Sequence, residues 1–357
     1  MVNIALDATP LTTLTGGVSR YTSELALSLA AEYESDDFWL LSDQPFHQPL
    51  TKARNLHFGN GARSVLERRW WLWGLQSEIS RLQIDVFHGT DFAVPYVPVR
   101  PSVLSLHDLS PWLDAAWHSA ADRVRTRTPV LLRLGLATLV LTPSEAIRRE
   151  AMARFRLQPD RIVSVPHGAS EIFRPVEPKR CAPYFLFVGT LEPRKNLGLL
   201  LGAWRAVRER HPVDLVLIGR RREDFPNLSP EPGLHLCGPL PDAQLPAFYS
   251  GCLACVYPSL YEGFGLPVLE AMQCGAPVVT SRDPAIVETA GNAAIALDVN
   301  EPALWAEALT AICEDATLRG NLRERSLRRA ASFSWGKTAR QTREVYDEAA
   351  KRFRRKT

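Results

Sequence analysis

Short apolar runs alternate with helix-like segments through the first half of this chain, stop at a proline-rich stretch, and then begin again. In the first series the strand candidates are Val2–Asp7, Phe38–Leu41, Ile84–His88, Val103–His107, Leu139–Thr142 and Ile162–Val165. Amphipathic stretches such as Val18–Ala31 and Leu66–Leu82 lie between them. In the second series the strands are Tyr184–Gly189, Val213–Gly219, Leu234–Gly238, Leu253–Pro258, Pro277–Thr280 and Ala293–Leu297. Helical patterns at Asn196–Glu209, Asp242–Ser250, Pro267–Cys274 and Ala303–Cys313 separate these. Such alternation makes a parallel sheet with helices on both faces, because each strand must be carried back by a crossover. Between the series, residues 173–183 hold three prolines in eleven residues, a linker composition. The chain is therefore expected to be α/β, with two doubly wound, Rossmann-like parallel-sheet domains at 1–174 and 175–334. Its 357 residues, about twice one domain, agree. A last helix within 335–357 either closes the second domain or crosses back to the first.

Several classes drop out on composition. Hydrophobic residues at 46% and charged residues at 23% exclude a disordered chain and a coiled coil. A net charge of +3 is too small to imply nucleic-acid binding by bulk charge, and part of it sits in the tail Arg352, Arg354, Arg355 and Lys356. The six cysteines, Cys181 to Cys313, lie largely in apolar runs and read as reduced core thiols. Cys252 and Cys255 have CxxC spacing but no second pair, so no metal site is expected there. The N-terminus lacks the basic and apolar regions of a secretion signal, and the longest apolar stretch, near Val130 to Thr142, is broken by Arg133. These features lead us to expect a cytoplasmic protein, at most resting on a membrane surface.

Open α/β sheets bind ligands beyond the carboxyl ends of their strands, so the strand ends hold the candidate chemistry. After the first strand, Thr15-Gly16-Gly17 leads into a helix whose free N–H groups suit an anion. His107-Asp108 ends another strand and could aim an imidazole into a cleft. In the second series, Arg194 and Lys195 stand where a helix begins. Two cations there oppose the helix dipole unless an anion such as phosphate joins them.

The densest constellation runs from Tyr261 to Glu270, Tyr-Glu-Gly-Phe-Gly-Leu-Pro-Val-Leu-Glu. Glu262 lies in a glycine-flanked loop, where truncation should spare folding, and Glu270 lies one turn into the helix begun by Pro267. Gly265 and Leu266 offer N–H groups between the two carboxylates, a shape suited to a ligand with hydroxyls on both sides of a phosphate. Absences narrow the field. No G-x-G-x-x-G follows a strand, which disfavours a nicotinamide dehydrogenase. Gly336-Lys337-Thr338 mimics the end of a P-loop, but Ala331 stands at the required first glycine. No D-x-D occurs, leaving a metal-bridged diphosphate without an obvious ligand pair.

On these residues the chain resembles the retaining glycosyltransferases of family 4, which have the two-domain GT-B fold. The matching segments are residues 16–21, His107-Asp108-Leu109, Thr142-Pro-Ser-Glu145, Val165-Pro-His-Gly168, residues 188–196 and Pro258 to Val279, with a similar ending at 333–346. The Glu262/Glu270 pair, E-x7-E, is the most specific of them. The resemblance implies two domains facing across a cleft, the last helix returning to the first, and a nucleotide-sugar donor held by the second. It implies Gly17, beside Gly16, as a backbone donor to diphosphate, and Arg194 and Lys195 as the phosphate clamp. It implies Glu262 on sugar hydroxyls, with Phe264, Gly265 and Leu266 giving backbone contacts. Glu270 would bind ribose, Gly219 and Leu240 would lie near the base, and His107 would lie near the transferred sugar. Many members carry Arg where this chain has Thr190, which places more of the phosphate charge on Arg194 and Lys195.

The expected activity is transfer of a hexose, first mannose from GDP-mannose, to a glycan or lipid-linked acceptor in surface polysaccharide synthesis. No metal, no other cofactor and no nucleic acid are expected. A UDP-glucose-type donor or a nucleotide-sugar 2-epimerase is the alternative, and a non-catalytic scaffold would not require Glu262, Glu270, Arg194 and Lys195 together. The segment Arg68-Arg69-Trp70-Trp71-Leu72-Trp73 suits contact with the inner face of a membrane, although Leu75, Ile79 and Leu82 have the spacing of a buried helix.

Overall fold

The computed structural model describes residues 1–12, 16–45, 53–59, 61, 64, 66–114, 117, 121–178, 182–223 and 225–355. Thr15, Cys181 and Lys356, named above, lie outside the described residues. The chain divides into two compact units, Met1–Gly168 with Ser334–Thr357, and Ala169–Phe333.

The first unit holds strands β1 (Asn3–Asp7), β2 (Asp37–Leu41), β3 (Leu56–Phe58), β4 (Val86–Gly89), β5 (Ser102–Ser105), β6 (Leu139–Thr142) and β7 (Ile162–Ser164). They form one sheet in the order β3-β2-β1-β4-β5-β6-β7, and every pairing is parallel. The helices are α1 (Gly17–Glu32), α2 (Leu75–Arg81), α3 (Ser110–Leu113), α4 (Asp122–Arg133) and α5 (Glu145–Phe155). The order reverses between β1 and β4, so their carboxyl ends flank the crevice where a doubly wound sheet takes a ligand.

The second unit holds β8 (Tyr184–Val188), β9 (Asp214–Ile218), β10 (Leu234–Leu236), β11 (Ala254–Tyr257), β12 (Val278–Ser281) and β13 (Ile295–Leu297), in the order β10-β9-β8-β11-β12-β13. Its helices are α6 (Leu197–Arg208), α7 (Leu245–Gly251), α8 (Leu266–Gln273), α9 (Pro284–Ala290), α10 (Pro302–Glu314) and α11 (Ala316–Ala330). Here the reversal lies between β8 and β11. Strands buried on both faces read as unbroken apolar runs, which is why Tyr184–Val188 and Ala254–Tyr257 are wholly buried. Trp204 of α6 and Trp305 of α10 fill the core beside them.

The last helix, α12 (Trp335–Arg354), belongs to the first unit. Ser334 caps its start by accepting the Lys337 amide at 3.2 Å. Arg343 pairs with the buried Asp36 at 2.9 Å, Arg340 with Glu32 at 2.6 Å and Arg352 with Asp160 at 2.9 Å. Thr338 donates to the Pro166 carbonyl at 2.7 Å. These bonds settle which of the two placements α12 takes.

One local expectation shifts, and two elements have no counterpart in the sequence reading. α4 is invisible to pattern reading because Pro129 lies inside it, and β3 is only three residues long. The helix expected over Leu66–Leu82 is shorter and compound: a π-helical turn, Trp70–Gly74, feeds α2. Trp70, Leu75 and Ile79 do enter the core, as the spacing requires, while Arg68, Arg69 and Trp73 face outward.

Candidate active site

Five charges meet at the β8/β11 reversal. After β8 the chain runs through a tight 3-10 turn, Pro193–Lys195, and Asn196 takes a left-handed conformation (φ 51°) before α6 starts. That kink turns the Arg194 and Lys195 side chains toward the loop after β11. Arg194 Nη1 donates to the Tyr261 carbonyl at 2.7 Å and lies 3.1 Å from Glu262 Oε2, while Nη2 holds Glu192 Oε1 at 2.8 Å. Lys195 Nζ lies 2.5 Å from Glu262 Oε1 and donates to the Tyr257 hydroxyl at 2.8 Å. Arg222 reaches Glu192 Oε2 at 3.2 Å. The two cations are thus reconciled with the nearby helix start by carboxylates of the chain itself, a solution the sequence argument did not include.

Burial sets the electrostatics. It would raise the Glu262 carboxyl, but Arg194 and Lys195 outweigh it and pull the group down to about 2. Burial and the Arg194 charge hold the Lys195 ammonium below its usual value against the pull of Glu262. Asp283 is pushed up to about 6 by burial, against the amides it accepts. Glu262 lies in a loop, as expected, but it is buried there, so its truncation carries a stability cost that the loop position alone does not suggest. Removing it would leave Lys195 as a buried charge beside Arg194.

The glycine-flanked loop is pinned from behind. The Glu262 amide donates to Asp283 Oδ2 at 3.3 Å, and Asp283 Oδ1 caps α9 through the Ala285 and Ile286 amides, both at 3.0 Å. The carbonyl of buried Phe264 accepts Thr289 Oγ1 at 2.7 Å. Gly265 has φ 86°, a conformation that costs a side-chain-bearing residue, and it launches α8 so that Leu266 is its first residue and Pro267 its second. Glu270, in α8, is 1% exposed and takes the Tyr249 hydroxyl at 3.3 Å. The two glutamates therefore have separate partners, one in the cation cluster and one in the core side of α8.

Gly219 follows β9 at φ 147°, and a Cβ there would lie 2.0 Å from the Gly189 carbonyl oxygen; only glycine lets the chain after β8 and after β9 approach so closely. Leu240 is half-buried against the core of the second unit.

In the first unit Gly16 and Gly17 are exposed at the start of α1, with open space above them. His107 follows β5, and its Nε2 donates to the Thr90 carbonyl at 2.6 Å. Its ring meets Tyr21 edge-on at 4.8 Å and Phe92 at 6.0 Å, with His167 at 5.9 Å. A cavity of about 10 Å³, room for a water, lies against Tyr21, Ser105, His107, Thr142 and His167. At the end of β1, Asp7 accepts the Thr9 amide at 3.0 Å and hydroxyl at 2.6 Å. Burial pushes it up to about 7, with Asp91 nearby adding to the effect; Asp91 is raised too.

Sequence reading missed Glu192, Asp283, Tyr257, Asp7 and the buried histidines His88 and His167. Two of these had a signal. Glu192 sits two residues before Arg194 in a strand-to-helix junction, and Asp283-Pro284 is a helix-start signature. The others depend on pairings that only the sheet order creates.

Residues 15–171 match the family profile described as Glycosyltransferase Family 4, and residues 169–329 match Glycosyl transferases group 1. The O-antigen chain mannosyltransferase B of Escherichia coli is 31% identical, over 92% of this chain and 95% of that protein. Among solved structures, the sucrose-phosphate synthase of Thermosynechococcus elongatus superposes with a TM-score of 0.77 at 19% identity, over 98% of this chain and 99% of that one. Anabaena Alr3699/HepE, solved in complex with UDP-glucose, gives 0.71 at 17% identity, over 98% and 100%. At such identities the structures speak to the fold, which is GT-B.

Proposed function

This chain belongs to glycosyltransferase family 4, and from that premise we propose that it moves a hexose from a nucleoside diphosphate sugar to a glycan or lipid-linked acceptor, with retention of anomeric configuration. The observation that carries the reading is the joining of Glu192, Arg194, Lys195 and Glu262 at the β8/β11 reversal. A diphosphate arriving there would draw Arg194 and Lys195 from their carboxylates, leaving Glu262 to accept hydrogen bonds from sugar hydroxyls. Gly16, Gly17, Gly265 and Leu266 would add backbone N–H groups, and Glu270 would turn outward to the ribose. Gly219 and Leu240 would border the base.

As the bond between the anomeric carbon and the diphosphate oxygen breaks, charge accumulates on the leaving phosphate, so the two cations act where the transition state needs them. The acceptor hydroxyl forms the new bond on the same face, and its proton passes to the departing diphosphate oxygen. No metal enters this scheme, because Arg194 and Lys195 supply the positive charge. His107 would touch the transferred sugar through its ring or carbonyl.

Mannose from GDP-mannose is the first choice of donor, supported by the likeness to the Escherichia coli O-antigen enzyme, and the setting would be surface polysaccharide synthesis. UDP-glucose is the second, supported by the Anabaena complex. Among the described residues no helix is long and apolar enough to cross a membrane. Leu66, 72% exposed, and Trp73, 53% exposed, beside exposed Arg68 and Arg69, suit a peripheral contact with the inner face of the cell membrane, which would place the enzyme in the cytoplasm.

The test is a thermal-shift panel of GDP, UDP, ADP, GDP-mannose, UDP-glucose and NAD. A ligand at a hundredfold excess over its Kd stabilises the folded state by about 2.7 kcal/mol, a shift of several degrees. Stabilisation by GDP and GDP-mannose supports the first choice, and by UDP and UDP-glucose the second. A shift with NAD alone, or with none of the six, overturns the donor site.

A further inference from the structure

Behind His107 runs a buried chain of four side chains from four elements. The Tyr346 hydroxyl of α12 lies 2.6 Å from His88 Nδ1; His88 Nε2 lies 2.8 Å from Ser105 Oγ; Ser105 Oγ lies 2.9 Å from the Tyr21 hydroxyl. All four residues are at most 3% exposed. The Tyr21 ring then bears edge-on against His107 at 4.8 Å and lies tilted against His167 at 4.7 Å, and Trp335 at the start of α12 stacks on His167 at 5.8 Å. Burial, with His107 close by, keeps His88 neutral. A neutral imidazole donates from one nitrogen and accepts at the other, so the chain has one direction and each link depends on the next.

We propose that Tyr346, acting through His88, Ser105 and Tyr21, is a positioning residue that fixes the ring of His107. The last helix thereby does more than complete the first unit. A hydrophobic residue at 346 would pack the same groove, yet the position carries a hydroxyl that reaches a histidine in the centre of the sheet. A buried polar chain of this kind costs stability wherever a link is left unpaired, and it specifies one arrangement when every link is made. What it specifies is the Tyr21 ring, and with it the wall against which His107 rests. The role in catalysis rests on the reading of His107 given above; the role in orientation does not.

The experiment uses the full-length protein labelled with 15N-histidine, in wild type and in the Tyr346→Phe, Ser105→Ala and His107→Ala variants. Tyr346→Phe keeps the ring and removes only the hydroxyl. Ring 15N resonances of His88 and also of His107 should move in Tyr346→Phe and in Ser105→Ala. If both variants leave His107 unmoved, the proposal is wrong, whatever their melting temperatures. GDP release from GDP-mannose supplies the second arm. Tyr346→Phe and Ser105→Ala should each lower kcat about tenfold with KM near the wild-type value, and the Tyr346→Phe/Ser105→Ala double variant should match a single one rather than their product. If His107→Ala retains full turnover, the reading of His107 fails while the resonance arm still decides the orientation. If His107→Ala is inactive and Tyr346→Phe turns over like wild type, the positioning proposal is the one that fails.

Discussion

The two units carry the same architecture and gather functional side chains at the same topological place, yet they handle burial in opposite ways. At the β8/β11 reversal, Glu262 and Lys195 stay charged because each is paired; pairing holds Glu262 at about 2. At the β1/β4 reversal and behind it, burial outweighs the neighbouring charges, Arg127 among them. Asp7 rises to about 7 and His88 falls to about 3, each becoming neutral rather than paired. A charged cluster is poised to exchange its partners for an anionic ligand. A neutral, hydrogen-bonded cluster can only hold a shape. The contrast fits the proposed reading, in which the charged cluster receives the donor's diphosphate and the neutral cluster holds the shape around His107.

The largest effects belong to the charged cluster. Glu262→Gln keeps the side chain's size and removes its charge; transfer should fall by about 10²–10³, read as product formation, while the protein stays folded. Glu262→Ala or Lys195→Ala breaks a buried pair and should cost about 3–5 kcal/mol in urea unfolding. Removing both charges, as Lys195→Met with Glu262→Gln, should restore most of that stability without restoring activity. A double variant as unstable as Lys195→Ala would show that the pair matters for more than charge balance, and an active one would sink the assignment of the site.

The same contrast explains what could be read in advance. Glu262, Glu270, Arg194 and Lys195 lie in contiguous stretches following strands, so the motif and the position after a strand found them. Gly219 came only from the resemblance to the family. The first unit's cluster draws on Tyr21, His88, Ser105, His107, His167 and Tyr346, whose separations in sequence carry no period. Only the order β1-β4-β5 and the return of α12 bring them together, and neither is encoded in local propensity. The partnering of Arg194 and Lys195 was missed for a different reason. The Asn196 kink separates them from α6, and a reading that joined them directly to the helix saw a dipole conflict where the fold has a turn.

The neutral cluster predicts a pH response of middling size. His88 has its folded pKa lowered, so its contribution is present above the unfolded value near 6.5 and is lost as pH falls toward about 3. Asp7 has its folded pKa raised, so its contribution is present below the unfolded value near 3.8 and is lost as pH rises through about 7. Between those limits the two slopes oppose each other. Asp7→Asn removes one of them and keeps an acceptor for Thr9. Its stability relative to wild type should therefore decline as pH is lowered from 6.5 to 4, by about 1.4 kcal/mol per pH unit, in urea unfolding at three pH values. Parallel curves for the two proteins would mean that Asp7 is not held neutral.

The smallest effect is expected at Asp283, which lies in the charged unit and yet behaves like a member of the neutral one. It caps α9 with one oxygen and holds the Glu262 amide with the other, and it is pushed up to about 6. Asp283→Asn retains the cap acceptor and removes the negative charge facing Glu262. Stability should change by less than about 1 kcal/mol, since Asn caps as well as Asp. Asn sets an NH2 group where Asp283 Oδ2 accepts the Glu262 amide, so the donor KM should rise at pH 8, where wild-type Asp283 is ionised. At pH 5, where wild-type Asp283 is protonated, the two proteins should bind the donor alike. The informative variant is Asp283→Ala, which frees the Glu262 amide as well as the helix start. It should lose about 1 kcal/mol and raise the donor KM severalfold at both pH values, because the loop between Glu262 and Gly265 is no longer tied to α9. If Asp283→Ala lowers stability and leaves KM untouched, the loop is held by its own cations alone, and the division between a charged unit and a neutral one is sharper than the hydrogen bonds suggest.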